Sequence, residues 1–347
     1  MAATRSLRWA AILAACSLLV GAACSDEEPA PPAAAPSPTP TPTPDPICPL
    51  TGEDPETSAL TARPAVAVKV ENNPVAYPLS GLEDAEIVFE ELVEGGITRF
   101  MAIYHCTDAA KVGPVRSSRI IDPDIMIPIT RILGAAGGND IVRAALNRAN
   151  VVMLDEDTSG DAMRRIPRPG ITLEHTLYAN TKALRKLGSK RFDNPPKAGF
   201  EFGPLEGKAK RARSITASFA GRATVGYKWK KGKWLRFDDG SPLMTEGGKQ
   251  IAVDNVVIEQ HTVRNSRTIF DVAGNPSIEI ADDTGRGPAV LLRDGKRIRG
   301  NWIRRDPQDP VRFVTKNGDP MVFAPGTIWI ELLPDRKGEI KGSFSIK

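Results

Sequence analysis

Four shortages narrow this chain before any motif is read. It has only three histidines and four cysteines in 347 residues. No lysine-bearing nucleotide loop and no glycine-flanked serine elbow is present, which argues against an ATP or GTP site and against a hydrolase of the elbow type. Beyond the first two dozen residues no apolar run is long enough to cross a bilayer. Charge is nearly balanced: the formal +4 includes Arg5 and Arg8, so a chain that has lost its leader carries +2, too little to indicate a nucleic-acid partner.

What is present begins with an address. "MAATRSLRWAAILAACSLLVGAACSDEEPA" has a basic start, an apolar run from Trp9 and an abrupt polar switch after Cys24, the layout of a signal peptide over residues 1–23. A small-residue "GAAC" that ends at a cysteine reads as a lipoprotein processing site, with Cys24 as the lipidated N-terminus. The competing site is Cys16 in "LAAC", which fits the leucine-small-small-cysteine pattern better but leaves "SLLVGAA" on the mature chain. Lipid chains contribute about 0.8 kcal/mol per buried methylene, so a multiply acylated cysteine holds a protein firmly. The expected location is extracytoplasmic, lipid-anchored to the cell membrane of a bacterium. Residues 24–46 are a proline-rich, disordered spacer, in which "PAPPAAAPSPTPTPTPDP" favours extended, semi-rigid conformations and buries no core. Cys48 and Cys106 remain beyond the leader. In an exported chain an even pair reads as a disulfide, the alternatives being two buried thiols or a metal site that lacks a nearby histidine pair.

About 300 residues follow, enough for two domains. Over residues 47–190, "PAVAVKV", "AEIVFEELV" and "TRFMAIYH" read as strands, while "NDIVRAALNR" and "TLYANTKALRKLG" read as helices, the first opened by Asn139 and the second closed at Gly188. This half is expected to be α+β or α/β. Residues 191–212, rich in proline, glycine and charge, read as a linker. Over 213–347 alternating segments are separated by "KKGK", "RDGK" and "KNGD", which predicts a smaller, mostly β domain of hairpins. Its tryptophans, Trp229, Trp234, Trp302 and Trp329, are expected in the core and in cross-strand pairs.

The series "CPLTGEDP", "RPAVAVKVENNPVAYPLSGLEDAEIVFEELVEGGITRFMAIY", "KVGPVRSSR", "HTLYANT", "GNWIRRD" and "APGTIWIELLP" resembles the YerB-type bacterial lipoprotein family. The resemblance runs from Cys48 to Pro334 and implies the same location and two-part layout; it implies no reaction.

Chemistry concentrates in "VEGGITRFMAIYHCTDAAKVGPVRSSR". If Thr98 to His105 is a strand, Arg99, Met101 and Ile103 share one face. Gly95 and Gly96 permit backbone conformations that side chains forbid. Arg116 and Arg119 flank Ser117 and Ser118, and guanidinium forks beside hydroxyls suit phosphate or pyrophosphate. The bland reading has these arginines paired with Glu90, Glu91 and Glu94. The same acids would otherwise hold a divalent cation, magnesium, beside a bound pyrophosphate. Gly137 and Gly138, in a glycine loop before a helix, offer either an anion-binding N-terminus or a plain junction. His175, placed just before a helix, is the one candidate base, or else a helix cap. The order of these motifs is also faintly similar to the LytR-CpsA-Psr cell-wall ligases, which move polyprenyl-pyrophosphate-linked glycopolymers. That similarity implies that Arg99, Arg116 and Arg119 hold the pyrophosphate, but Phe100 stands where an aspartate is expected. Two readings therefore stand open: a non-catalytic lipoprotein that binds a ligand or partner of the cell envelope, and a glycopolymer phosphotransferase. A purely structural role in the envelope is the third.

Overall fold

The computed structural model describes residues 46–347 apart from 198, 208 and 222. The signal peptide, Cys16, Cys24 and the spacer as far as residue 45 lie outside the described residues.

Three strands open the fold where β-branched and aromatic residues crowd: β1 (Val66–Asn72), β2 (Ile87–Leu92) and β3 (Thr98–Tyr104). Every residue in them is buried, as in strands covered on both faces. The β2 to β3 connection turns through Gly95 and Gly96, whose φ angles of 77° and 76° lie in the left-handed region. Next come the one-turn α1 (Asp122–Met126), β4 (Ile132–Gly134), α2 (Asp140–Arg148), β5 (Val152–Leu154) and α3 (Thr181–Gly188). Asn139 caps α2, its side chain accepting from Val142 N at 2.9 Å, and Asn180 caps α3, accepting from Ala183 N at 2.9 Å. The helix expected over "TLYANTKALRKLG" is therefore shorter: Leu177–Ala179 is a strand paired with Met163–Arg165, because buried Leu177 and Ala179 continue a ladder before the cap.

Strands and hairpins fill the rest: β6 (Ser214–Phe219), β7 (Ala223–Lys230), β8 (Lys233–Asp238), β9 (Asn255–His261), β10 (Val263–Phe270), β11 (Pro276–Ile280), β12 (Gly285–Arg293), β13 (Lys296–Arg304), β14 (Arg312–Thr315), β15 (Ile328–Pro334) and β16 (Ser343–Ile346). The turns read from "KKGK" and "RDGK" carry positive φ at Lys231, Gly232, Asp294 and Gly295, and "KNGD" carries it at Gly318.

One sheet runs through both halves. Its order is β14-β13-β12-β9-β15-β2-β3-β1-β4-β5, with Lys210–Arg211 added at β13. The seam lies between β15 and β2, which pair in parallel from Ile87 beside Ile328 to Glu91 beside Leu332. Residues Asp45–Lys347 consequently form one compact unit. The expected linker at 191–212 does not hold two bodies apart. Lys210–Arg211 extends the large sheet, Glu201–Phe202 pairs with Val322–Phe323, and Phe200 packs against Phe313 and Phe323. Its proline, glycine and charge belong to an irregular but anchored crossing.

The sheet is covered on both faces. On one lie α3 and a six-stranded sheet built on β6, β7, β8 and β16, with Phe100, Val256, Trp329, Tyr227 and Trp234 in the layer between. On the other lie α1, α2 and the phenylalanine group, over Met101, Ile103, Val257, Ile330 and Trp302. Cys48 and Cys106 form a disulfide that closes a loop with a sequence separation of 58.

Candidate functional site

Strand alternation decides which charged residues meet. Lys69 and Glu71 of β1, Glu91 of β2 and Arg99 of β3 project to the α1 and α2 face, opposite Asn72, Glu90 and Thr98. The chain after β3 returns along β1, with Arg116 N donating to Lys69 O at 2.9 Å. That return brings Arg116 and Arg119 to the end of the sheet where Arg99 emerges.

The three arginines are not equivalent. Arg119 reaches Glu94, Nε to Oε2 at 2.6 Å, and Glu94 also accepts from Ser277 Oγ at 2.7 Å. Arg116 lies 3.5 Å from Glu71 Oε1 and donates to Glu174 O at 2.8 Å. Arg99 is buried and donates to Ser117 O at 3.0 Å, and no carboxylate among the described residues lies within ion-pair distance of it. Burial, then the charges of Arg119 and Arg116, bring its pKa down to about 10. A buried guanidinium without its own acid, flanked by two others, is electrostatically unfinished.

The acids expected around this cluster separate. Glu94 pairs with Arg119. Glu91 pairs instead with Lys69, whose ammonium also donates to Asp122 Oδ1 at 2.7 Å, all three side chains being buried. Burial raises Glu91 to about 7, against the pull of Lys69. Glu90 lies on the opposite face and is no part of the cluster. It holds Arg236 at 2.6 Å and accepts from Thr98 and Asn72 at 2.6 and 3.2 Å. Among the described residues no group of three or more His, Cys, Asp or Glu side chains is arranged to hold a metal ion. Phe100, at the position where the ligase similarity expects an acid, lies in the core with its ring 5.3 Å from that of Trp329.

His175 sits in a short turn before the Leu177–Ala179 strand, not before a helix. Its Nδ1 is 2.7 Å from Glu71 Oε2, so Glu71 links the imidazole to Arg116. A carboxylate that fixes a ring nitrogen is the arrangement of an oriented base. Among the described residues no serine hydrogen-bonds it: Ser117 Oγ contacts Ala136 O at 3.4 Å and Ser118 Oγ donates to Gly137 O at 2.8 Å. The glycine loop is a packing device. A Cβ on Gly138 would sit 2.6 Å from Ser118 Oγ, and Asn139 already occupies the first-turn amide of α2.

Sequence reading missed Lys69, Glu71 and Asp122. The visible signal was the charged pair inside the apolar strand "VAVKVEN", which a core strand tolerates only with partners. It also missed a cleft beyond α1, where Asp124, Glu259, His261, Asp283 and Arg304 come together from four separate stretches.

Fold and site together define a strand-rich protein in which a mixed-sheet N-terminal half is completed by a mostly β C-terminal half, with an arginine cluster at one end of the shared sheet. Two family models match in that order, the "Protein of unknown function (DUF3048) N-terminal domain" over residues 50–194 and the "Protein of unknown function (DUF3048) C-terminal domain" over 215–330. The chain belongs to this family. It is 31% identical over 303 residues to "Putative lipoprotein YerB" of Bacillus subtilis (strain 168), covering 83% of this chain and 86% of that protein. The crystal structure of the Bacillus subtilis YerB protein superposes with a TM-score of 0.69 at 27% identity, covering 86% of this chain and 99% of the other.

Proposed function

We propose that this protein is an extracytoplasmic lipoprotein, tethered to the membrane through Cys24, whose folded part binds a phosphate or pyrophosphate group at Arg99, Arg116 and Arg119. The observation that supports this reading is Arg99, buried and without a carboxylate, between two arginines that have theirs. A doubly charged oxyanion in hydrogen-bond reach would complete the charge pattern, and planar guanidinium groups give it paired, directional donors. Half-exposed Ser117 adds a hydroxyl at the mouth; buried Ser118 serves the fold. Ser117 and Ser118 hydrogen-bond backbone carbonyls rather than the His175 imidazole, so binding is the reading proposed.

The test is a melting series of the purified full chain with phosphate, pyrophosphate and sulfate, beside Arg99→Met. A ligand at a hundred times its Kd stabilises by about 2.7 kcal/mol, a shift of roughly 4 °C at this size. Pyrophosphate should raise the melting temperature of the wild type and leave Arg99→Met unmoved. Arg99→Met should itself melt no lower, because it removes an uncompensated buried charge. A pyrophosphate shift that survives in Arg99→Met, or its absence in the wild type, sinks the reading.

A further inference from the structure

Between α1, the Gly199–Phe200 stretch and the large sheet lies a second, chemically different site. Its walls are apolar, formed chiefly by Phe89, Ile125, Phe200, Phe313, Ile330 and Leu332, and it encloses about 50 Å³. A water needs roughly 10–15 Å³ by that measure, so the slot admits a branched group of a few carbons and excludes a ring system. One end is charged, and its partnerships are incomplete.

His261 is satisfied. Its Nε2 is 3.0 Å from Glu259 Oε1, its Nδ1 is 3.3 Å from Asp282 Oδ1, and its ring stacks on Trp302 at 4.6 Å. The neighbouring groups are not. Asp124 and Asp283 line the cleft, and neither carboxylate has a hydrogen-bond or ion-pair partner among the described residues. Burial first and then the charge of Asp283 push Asp124 up to about 6, although Arg304 pulls the other way. Arg304 is 4% exposed and donates only to the carbonyls of Pro307 and Asp283, leaving its buried Nε without a partner. The polar end thus presents two half-exposed carboxylates with no protein partner, the exposed Lys197 at its rim and one buried guanidinium nitrogen without a partner, beside a narrow apolar slot.

We infer that this cleft binds the α-ammonium and α-carbonyl of an amino-acid unit with a small apolar side chain, the ammonium between Asp124 and Asp283, the carbonyl oxygen toward Arg304 and the side chain in the slot. An ammonium relieves the repulsion between the two carboxylates, and an acceptor meets the orphaned guanidinium nitrogen. An alkyl chain alone would leave both needs unmet. The inference is independent of the arginine site, since it uses other residues and a ligand of different chemistry.

The experiment is isothermal titration of the purified full chain with L-leucine, L-leucinamide, 4-methylpentanoate, which lacks the ammonium, and 3-methylbutylamine, which lacks the carbonyl. L-leucine or its amide should bind, with each truncated compound at least about tenfold weaker, a difference of roughly 1.4 kcal/mol. Equal binding of leucine and leucinamide identifies a peptide N-terminus as the source; preference for leucine identifies the free amino acid. Asp124→Asn should weaken binding about tenfold or more without lowering the melting temperature, because the lost carboxylate has no partner. Ile280→Trp, which fills the slot from its half-buried edge, should abolish binding. No heat with any compound up to about 10 mM overturns the proposal. So does equal affinity for all four, or binding unchanged in both variants.

Discussion

Arg99 and His261 show how the same cost, taking a cation out of water, leads to opposite outcomes. Burial lowers both pKa values, and for Arg99 the charges of Arg119 and Arg116 add to it while Glu94 and Glu71 offset only part, so it stays depressed. For His261, burial is outweighed by hydrogen bonds to Asp282 and Glu259, which hold it up at about 9 against 6.5 for an ordinary imidazole. A cation whose folded pKa is raised contributes stability that is complete below the unfolded value and disappears as pH climbs through the folded one. His261 should therefore stabilise fully below about pH 6.5 and lose its contribution between there and about pH 9, on the order of 3 kcal/mol. Urea unfolding of wild type and His261→Gln checks this: their difference should shrink by about that amount between pH 6 and pH 9.5, and a constant difference would refute it. Little of this was legible beforehand. "RFMAIY" and "VRSSR" announced that arginines and a strand face coincide, because alternation is local. Which acid each arginine takes depends on long-range pairing: Glu91 and Glu90 are neighbours in sequence yet partner Lys69 and Arg236 on opposite faces.

Elements were readable in proportion to how far their signals are local. Asn139 caps α2, Gly188 ends α3, and the lysine- or aspartate-glycine turns sit where the sequence places them, because a cap or a tight turn involves only three or four consecutive residues. The short Leu177–Ala179 strand was not readable, since three residues carry no period and its partner is Met163–Arg165. The segment from Cys48 to Ala65 enters the fold without a strand of its own, and the disulfide to Cys106, just past β3, fixes it. Loop-closure entropy for a separation of 58 amounts to about 4 kcal/mol on the chain-entropy model. Replacing both cysteines by alanine should lower the unfolding free energy by about that amount, measured by urea denaturation against wild type. Oxidised and reduced wild type that unfold at the same urea concentration would show that this bridge contributes nothing.

At the scale of the whole molecule, the two halves are joined where each is most apolar. β15 enters between β9 and β2, so Ile328, Ile330 and Leu332 complete a layer that Ile87, Phe89 and Met101 begin. Across the other face Arg236, fully buried, bonds Glu90 of the first half and lies over the rings of Phe100, Tyr227 and Trp329 at 6.0, 5.2 and 5.5 Å from their centroids. Breaking a buried pair costs about 3–5 kcal/mol where the partner is left alone; Arg236 keeps Asp238 and Glu331 at 3.5 and 4.0 Å, so Glu90→Gln should cost less than that, yet destabilise both halves together although Glu90 belongs to one. Tryptophan makes the point measurable: Trp229, Trp234, Trp302 and Trp329 all lie after residue 213, and the first half has none between Cys48 and Ser189. Tryptophan fluorescence therefore reports the second half and, through Trp329 beside Phe100, its seam with the first, whereas far-ultraviolet circular dichroism reports both halves throughout. Because β2 loses its parallel neighbour if the second half unfolds first, the two signals should give one coincident transition in wild type and in Glu90→Gln, the latter shifted to lower denaturant. A fluorescence transition that precedes a separate dichroism step would mean that the first half keeps its sheet with β2 as an open edge, and that the shared sheet is two cooperative units in contact.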